Sequence, residues 1–323
     1  MKRSVSRFSF LVLFVAIATA SCSENKQSAK VTKKPIAAIK QIITPLVSVQ
    51  WLQQHLDDKN IVILDTSVLV HMDDKGYKTL SAQSEFDKEH IPHAKFADLK
   101  GHFSKQDSEK DFILPEITDF QKAVRELGVN NDSHVILYSS NNESWAARLW
   151  WMLKWGGFER ASILNGGLKA WKEKGFPTTA ESVLNKSGDF VFNLQPKLVA
   201  YREQVLESAT DESVTLVDSL SPGHYKGDFS LYSRSGHITG AINLPSSDFV
   251  DESGFFRPID ELEMMLEADK NTRTITYCGG GVAASSVAFN LHRAGFKDVA
   301  VYMGSLQEWV EEPSNPMTLG DTP

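Results

Sequence analysis

The sequence predicts an α/β protein of two similar domains, each a mainly parallel sheet flanked by helices, and three observations carry that expectation. A chain of 323 residues exceeds what one hydrophobic core ordinarily serves. Short β-branched runs alternate with helical runs such as Asp119 to Leu127 and Trp145 to Lys154, the order that gives parallel strands joined by crossovers. The body of the chain also repeats itself once, element for element.

The first residues read as an address. Met1 to Arg7 is basic without an acid, and Phe8 to Ala20 is an apolar run too short for a comfortable bilayer span. Ala18-Thr19-Ala20 offers a small-x-small cleavage site, while Thr19-Ala20-Ser21-Cys22 resembles a bacterial lipobox in which Cys22 takes the lipid. Residues 1–22 are expected to be a signal peptide or lipobox and the polar residues 23–45 a tether. Export to the periplasm is the consequence, either lipid-anchored to the membrane through Cys22 or soluble after ordinary cleavage.

The repeat then sets the domains. Ile61-Val62-Ile63-Leu64-Asp65-Thr66 answers to Val214-Thr215-Leu216-Val217-Asp218-Ser219, an apolar strand ending in aspartate. His90-Ile91-Pro92-His93-Ala94 answers to His237-Ile238-Thr239-Gly240-Ala241, and His134-Val135-Ile136-Leu137-Tyr138-Ser139 answers to Thr274-Ile275-Thr276-Tyr277-Cys278. Asn165-Gly166-Gly167-Leu168 with Trp171 matches Met303-Gly304-Ser305-Leu306 with Trp309. The first domain is placed at 46–177 and the second at 197–312. Residues 178–196 lack helical periodicity and read as a linker, and 313–323 as a tail.

Chemistry concentrates between Thr274 and Arg293. A short β-prone run ends at Cys278, three glycines follow, and a helical pattern begins with Ala284, Val287, Ala288 and Leu291 on one face. A thiol at the mouth of such a loop faces converging amides and the positive end of a helix dipole, which favour thiolate over thiol. The competing reading is a buried structural cysteine. Three consecutive glycines argue against it, because each costs backbone entropy and buries no side chain in return. The first domain has Ser139 at the equivalent place, followed by Ser140-Asn141-Asn142-Glu143, with no neighbouring base in sequence to activate a hydroxyl. That half is expected to be structural, or one wall of a site between domains.

Composition narrows the partners. A formal charge of −7 provides no basic field for nucleic acid. Cys22 and Cys278 are the only cysteines, so a disulfide framework, a cysteine-rich metal cluster and a C-x-x-C dithiol are all excluded.

Taken together, Gly236-His237-Ile238-Thr239-Gly240-Ala241 with Asn243-Leu244-Pro245, the loop Tyr277 to Ala284, and the terminal glycine and tryptophan resemble the rhodanese sulfurtransferases. Two such domains, the first without the cysteine, resemble the thiosulfate and 3-mercaptopyruvate sulfurtransferases from about Leu46 to Val310. In the first half, Leu114-Pro115, Phe120, Leu127-Gly128-Val129 and Ala147-Arg148-Leu149-Trp150-Trp151 resemble the inactive domain of the mercaptopyruvate group. The resemblance implies that Cys278 takes sulfur from a small anionic donor as a persulfide and passes it to a thiophilic acceptor, cyanide or a thiol. It implies no cofactor and no metal. The amides of Gly279, Gly280, Gly281, Val282 and Ala283 would hold the terminal sulfur, and Arg234 the anionic group of the donor. The alternative is an exported persulfide carrier or protein-binding module without small-molecule turnover.

Departures bear on the donor. Thiosulfate-type loops carry basic residues where this chain has glycines. Mercaptopyruvate-type loops carry a serine at the place of Gly280 and an arginine near His224. His90 is a proton-relay candidate or a histidine that holds its own loop, and Arg148 either lines the cleft or makes an interdomain ion pair. The related cysteine phosphatases need an arginine six or so residues after the cysteine. Here Ala284 and Ser285 stand there, which removes that chemistry.

Overall fold

A computed structural model describes residues 43–323 apart from 74, 75, 107, 185, 210, 212, 267 and 268. The expectations for the signal, the lipobox cysteine Cys22 and most of the tether fall outside the described residues.

Two five-stranded parallel sheets form, and their strand orders are the same. The first runs Leu46–Val47, Ala161–Leu164, His134–Tyr138, Ile61–Asp65, Lys95–Phe96. The second runs Val199–Ala200, Val299–Tyr302, Arg273–Tyr277, Val214–Asp218, Ala241–Asn243. In each, the two central strands are buried over most of their length, which is why they read as continuous apolar runs rather than alternating ones. An antiparallel hairpin, Val68–Asp73 with Gly76–Ser81, is added to the first domain and has no counterpart among the described residues of the second.

The repeat is visible down to single atoms. Asp65 pairs in register with Tyr138, and Asp218 with Tyr277. Each tyrosine hydroxyl accepts the amide of the isoleucine in its H-I segment, Ile91 at 3.3 Å and Ile238 at 3.0 Å. Each aspartate Oδ1 accepts a loop amide at 2.8 Å, from Ser67 and from Leu220. Both aspartates therefore hold loops, as their place at strand ends suggests.

The domains meet along two helices, Glu143–Trp155 and Val282–Arg293. Both are buried over most of their length, as a helix enclosed on every side is. Trp150 meets Phe289 edge-on at 4.9 Å, and one apolar cluster runs through the junction from Val62 to Met303, with Cys278 in it. The two domains thus share a core, and this is what brings Arg148 to the second domain. Asn142 caps the first of these helices by accepting the Ser144 amide at 2.8 Å.

The segments outside the two sheets are packed down. The described residues of 178–196 lack regular structure except at their end, and the Phe190 ring is buried while its amide and carbonyl bond Val129 and Arg125. Residues 313–323 are not a free tail. Met317–Thr318 pairs antiparallel with His237–Ile238, because Gly236 (φ +94°) lets the two backbones approach too closely for a side chain.

Candidate active site

The central strand Arg273–Tyr277 delivers Cys278 to the end of the sheet, and the next turn is held from behind. Leu306 N–H donates to the Cys278 carbonyl and Gln307 N–H to the Gly279 carbonyl, both at 3.0 Å. With those carbonyls turned away, the chain can aim amides back at the sulfur. Gly281 completes the loop at φ +78°, a left-handed conformation, and starts the helix Val282–Arg293. Its N–H donates to Cys278 Sγ at 3.1 Å. The thiol therefore sits at the positive end of a twelve-residue helix.

Of the amides expected to cradle the sulfur, from Gly279 to Ala283, the one bonded to Sγ among the described residues is that of Gly281. The cysteine is also 2% exposed, so the sulfur lies beneath its loop rather than at an open mouth.

Each glycine makes room for a different neighbour. A Cβ on Gly279 would sit 1.8 Å from the Tyr232 hydroxyl, one on Gly280 3.2 Å from Gln307 Nε2, and one on Gly281 2.6 Å from Arg148 Nη1. Basic side chains in this loop are thus shut out by packing at two of the three places.

Ser305 fixes the start of the loop. It is buried with φ +52°, and its Oγ accepts the Cys278 amide at 3.1 Å while donating to the Tyr302 carbonyl at 2.7 Å. The matching residue of the first domain is Gly167 at φ +55°, where no side chain is needed. Around Ser139 the same frame recurs. Leu168 N–H donates to its carbonyl at 3.2 Å, and Asn142 N–H donates to Oγ at 3.3 Å, the counterpart of Gly281 N–H on Sγ at 3.1 Å. The hydroxyl also bonds Asn141 Oδ1 at 3.0 Å, so the first-domain loop is tied up by its own side chains.

The first domain contributes a clasp. Arg148, 1% exposed, reaches from the helix Glu143–Trp155 to the Gly281 carbonyl at 3.2 Å, to Met303 Sδ, and to the Phe112 carbonyl at 2.5 Å. Gln307 Nε2 donates to the Asp111 carbonyl at 2.9 Å, and Lys110 pairs with Glu311 at 2.8 Å. Arg148 is therefore a wall of the site, and no carboxylate pairs with it among the described residues.

Three other expected residues are engaged by neighbours of their own. Both ring nitrogens of buried His90 face carbonyls, Phe86 at 2.6 Å and Glu181 at 3.2 Å, and the ring stacks on Phe86. His237 repeats this with Tyr225 and Thr322, so His90 holds its own loop and is no relay for Cys278. His224 bonds Ser221 through Nδ1 at 2.9 Å, and burial pushes its pKa down. Arg234 donates to the carbonyls of Asn315 at 2.8 Å and Glu312 at 3.2 Å, tying the preceding loop to the C-terminal segment.

Below the site, burial pushes Asp218 up to about 6, against the lowering effect of the Leu220 amide and the Tyr277 hydroxyl. Sequence reasoning missed Ser305, Gln307 and Tyr232. For Ser305 a signal existed, a serine where the other repeat has glycine; for the other two none did.

A duplicated α/β sheet with a lone cysteine under a glycine loop at a helix start defines a class, and the rhodanese-like domain model matches residues 48–174 and 202–312. The chain belongs to the rhodanese family, as a sulfurtransferase. It is similar to a thiosulfate sulfurtransferase of Gallus gallus, 36% identical over 71% of this chain and 81% of that one. It is also similar to a 3-mercaptopyruvate sulfurtransferase of Escherichia coli (strain K12), 32% identical over 82% and 95%. The crystal structure of a 3-mercaptopyruvate sulfotransferase from Escherichia coli superposes with a TM-score of 0.73 at 31% identity, covering 81% of this chain and 98% of that one.

Proposed function

We propose that Cys278 is the sulfur carrier and that the donor is a small anionic sulfur compound, 3-mercaptopyruvate or thiosulfate. The thiolate attacks the outer sulfur and forms a Cys–S–S⁻ persulfide. Thiosulfate leaves as sulfite; mercaptopyruvate leaves as pyruvate, its thiol proton ending on the methyl carbon. A thiophilic acceptor, cyanide or a thiol, then takes the terminal sulfur and restores the thiolate. The observation that carries this reading is the Gly281 N–H aimed at Sγ at the start of a helix, which favours an anion there without a metal. Arg234, with guanidinium N–H groups beyond the two on carbonyls, is proposed to bind the anionic end of the donor.

A second reading, a persulfide carrier without small-molecule turnover, is favoured by the 2% exposure of Cys278. Thiocyanate formation from each donor, in the wild type and in Cys278→Ser, decides between them. Turnover lost in the serine variant supports the enzyme; no thiocyanate from either donor, with one extra sulfur still found by mass on the Cys278 peptide, supports the carrier. Placement outside the cytoplasm on a lipid at Cys22 is proposed from the leader's basic and apolar sequence. Labelled palmitate incorporated by the wild type but not by Cys22→Ser tests it, and equal labelling removes the proposal.

A further inference from the structure

Arg148 presents a physical problem that its hydrogen bonds do not solve. It is a fully enclosed guanidinium, bonded to two carbonyls and a thioether, and no carboxylate pairs with it among the described residues. The carboxylates of the same clasp are engaged elsewhere, Asp111 by Lys100 and Thr79 and Glu311 by Lys110. Glu143, at the start of the same helix, bonds Ser144. On the facing helix Val282–Arg293 the ionisable groups are His292, which burial pulls down to about 4 and so keeps neutral, and Arg293, whose charge would repel it. A buried cation without a counter-charge is strongly unfavourable. Its position explains why one is kept: Nη1 bonds the carbonyl of the residue whose N–H bonds Cys278 Sγ.

We infer that Arg148, carried by the domain that lacks the cysteine, is the counter-cation of the sulfur anion on Cys278, a positioning residue that makes the second domain's site incomplete without the first. Burial pulls the guanidinium down to about 10, and a negative charge on Cys278 would oppose that pull. The cation serves both states of the cycle, since thiolate and persulfide each carry one negative charge at this place. It also accounts for the loop having no basic side chain: the charge arrives from the other domain, through the space that Gly281 leaves open.

The inference rests on Cys278 being the carrier, and its test needs no turnover. Alkylation of Cys278 by neutral iodoacetamide at pH 7.5 is compared in the wild type, Arg148→Lys and Arg148→Met. The expected result is a fall on the order of tenfold in the Met variant and recovery of most of it in the Lys variant. Wild-type rates in Arg148→Met, or equal losses in both variants, overturn it, the second because it shows packing and not charge. A second pair leaves Arg148 intact. Cys278→Asp puts a fixed anion at the sulfur's place and is expected to melt above Cys278→Asn; melting at or below Asn overturns the inference. Failure of sulfur transfer in the wild type with these results intact removes the proposed reaction and leaves the charge pairing standing.

Discussion

Gly281→Ala is the perturbation whose cost the structure specifies most closely. At φ +78° a residue with a Cβ loses about 1–2 kcal/mol. The new methyl would lie 2.6 Å from Arg148 Nη1, 3.0 Å from the Met303 carbonyl and 3.1 Å from its Cα, and neither the enclosed guanidinium nor that main chain can move freely. Such overlap costs about 1–3 kcal/mol. Against this, the stiffer unfolded chain returns about 0.4–1 kcal/mol. The net loss is about 3 kcal/mol, or a melting temperature lower by about 6 °C. Gly280→Ala is the internal control, since its φ is unstrained and its nearest contact is the end of a Gln307 side chain at 3.2 Å. It is expected within about 1 kcal/mol of the wild type. Urea melts followed by circular dichroism measure both, with sulfur loading of Cys278 followed by mass. Gly281→Ala should also lose most loading, because its amide is the one on Sγ. Equal stabilities for the two variants would refute this reading of the loop.

Ser305→Ala leaves the Cys278 amide without its acceptor and keeps the left-handed strain, whereas Ser305→Gly removes the strain. The glycine variant is expected to be more stable than the alanine variant by about 1 kcal/mol in urea melts, and the reverse order counts against the assignment. Asp218 is raised from 3.8 to about 6, so the folded state keeps a proton that the unfolded state has released. Its contribution to stability falls as pH rises through that window, and the full penalty, about 3 kcal/mol, is present above pH 6. Asp218→Asn should therefore gain on the wild type between pH 4 and pH 7 in melts; a difference that stays constant with pH would contradict the assignment. For Tyr232, Gly279→Ala displaces the hydroxyl that lies against the loop and is expected to speed iodoacetamide labelling of the buried Cys278. Unchanged labelling would show that the Tyr232 loop does not cover the thiol.

What was legible in the sequence was whatever is local or repeated. The strand, three glycines and helix around Cys278 follow from propensity and periodicity, and the doubled order of elements specified two parallel sheets. Even the loop-holding aspartates Asp65 and Asp218 could be read from their places at strand ends. His90 and Arg148 could not be decided that way. Each is an ionisable residue whose partners include groups far away in the chain, Glu181 for His90 and Gly281 for Arg148.

Residues 139 and 278 stand in the same frame, and sequence alone told them apart: a thiol followed by glycines against a hydroxyl followed by polar side chains. That difference is why the carrier role is proposed for the second half. The tertiary structure decided the electrostatics, because packing Glu143–Trp155 against Val282–Arg293 brings Arg148 to Gly281, 133 residues away in the chain. Burial there excludes water, so the charge of this guanidinium acts on its neighbours through a low dielectric.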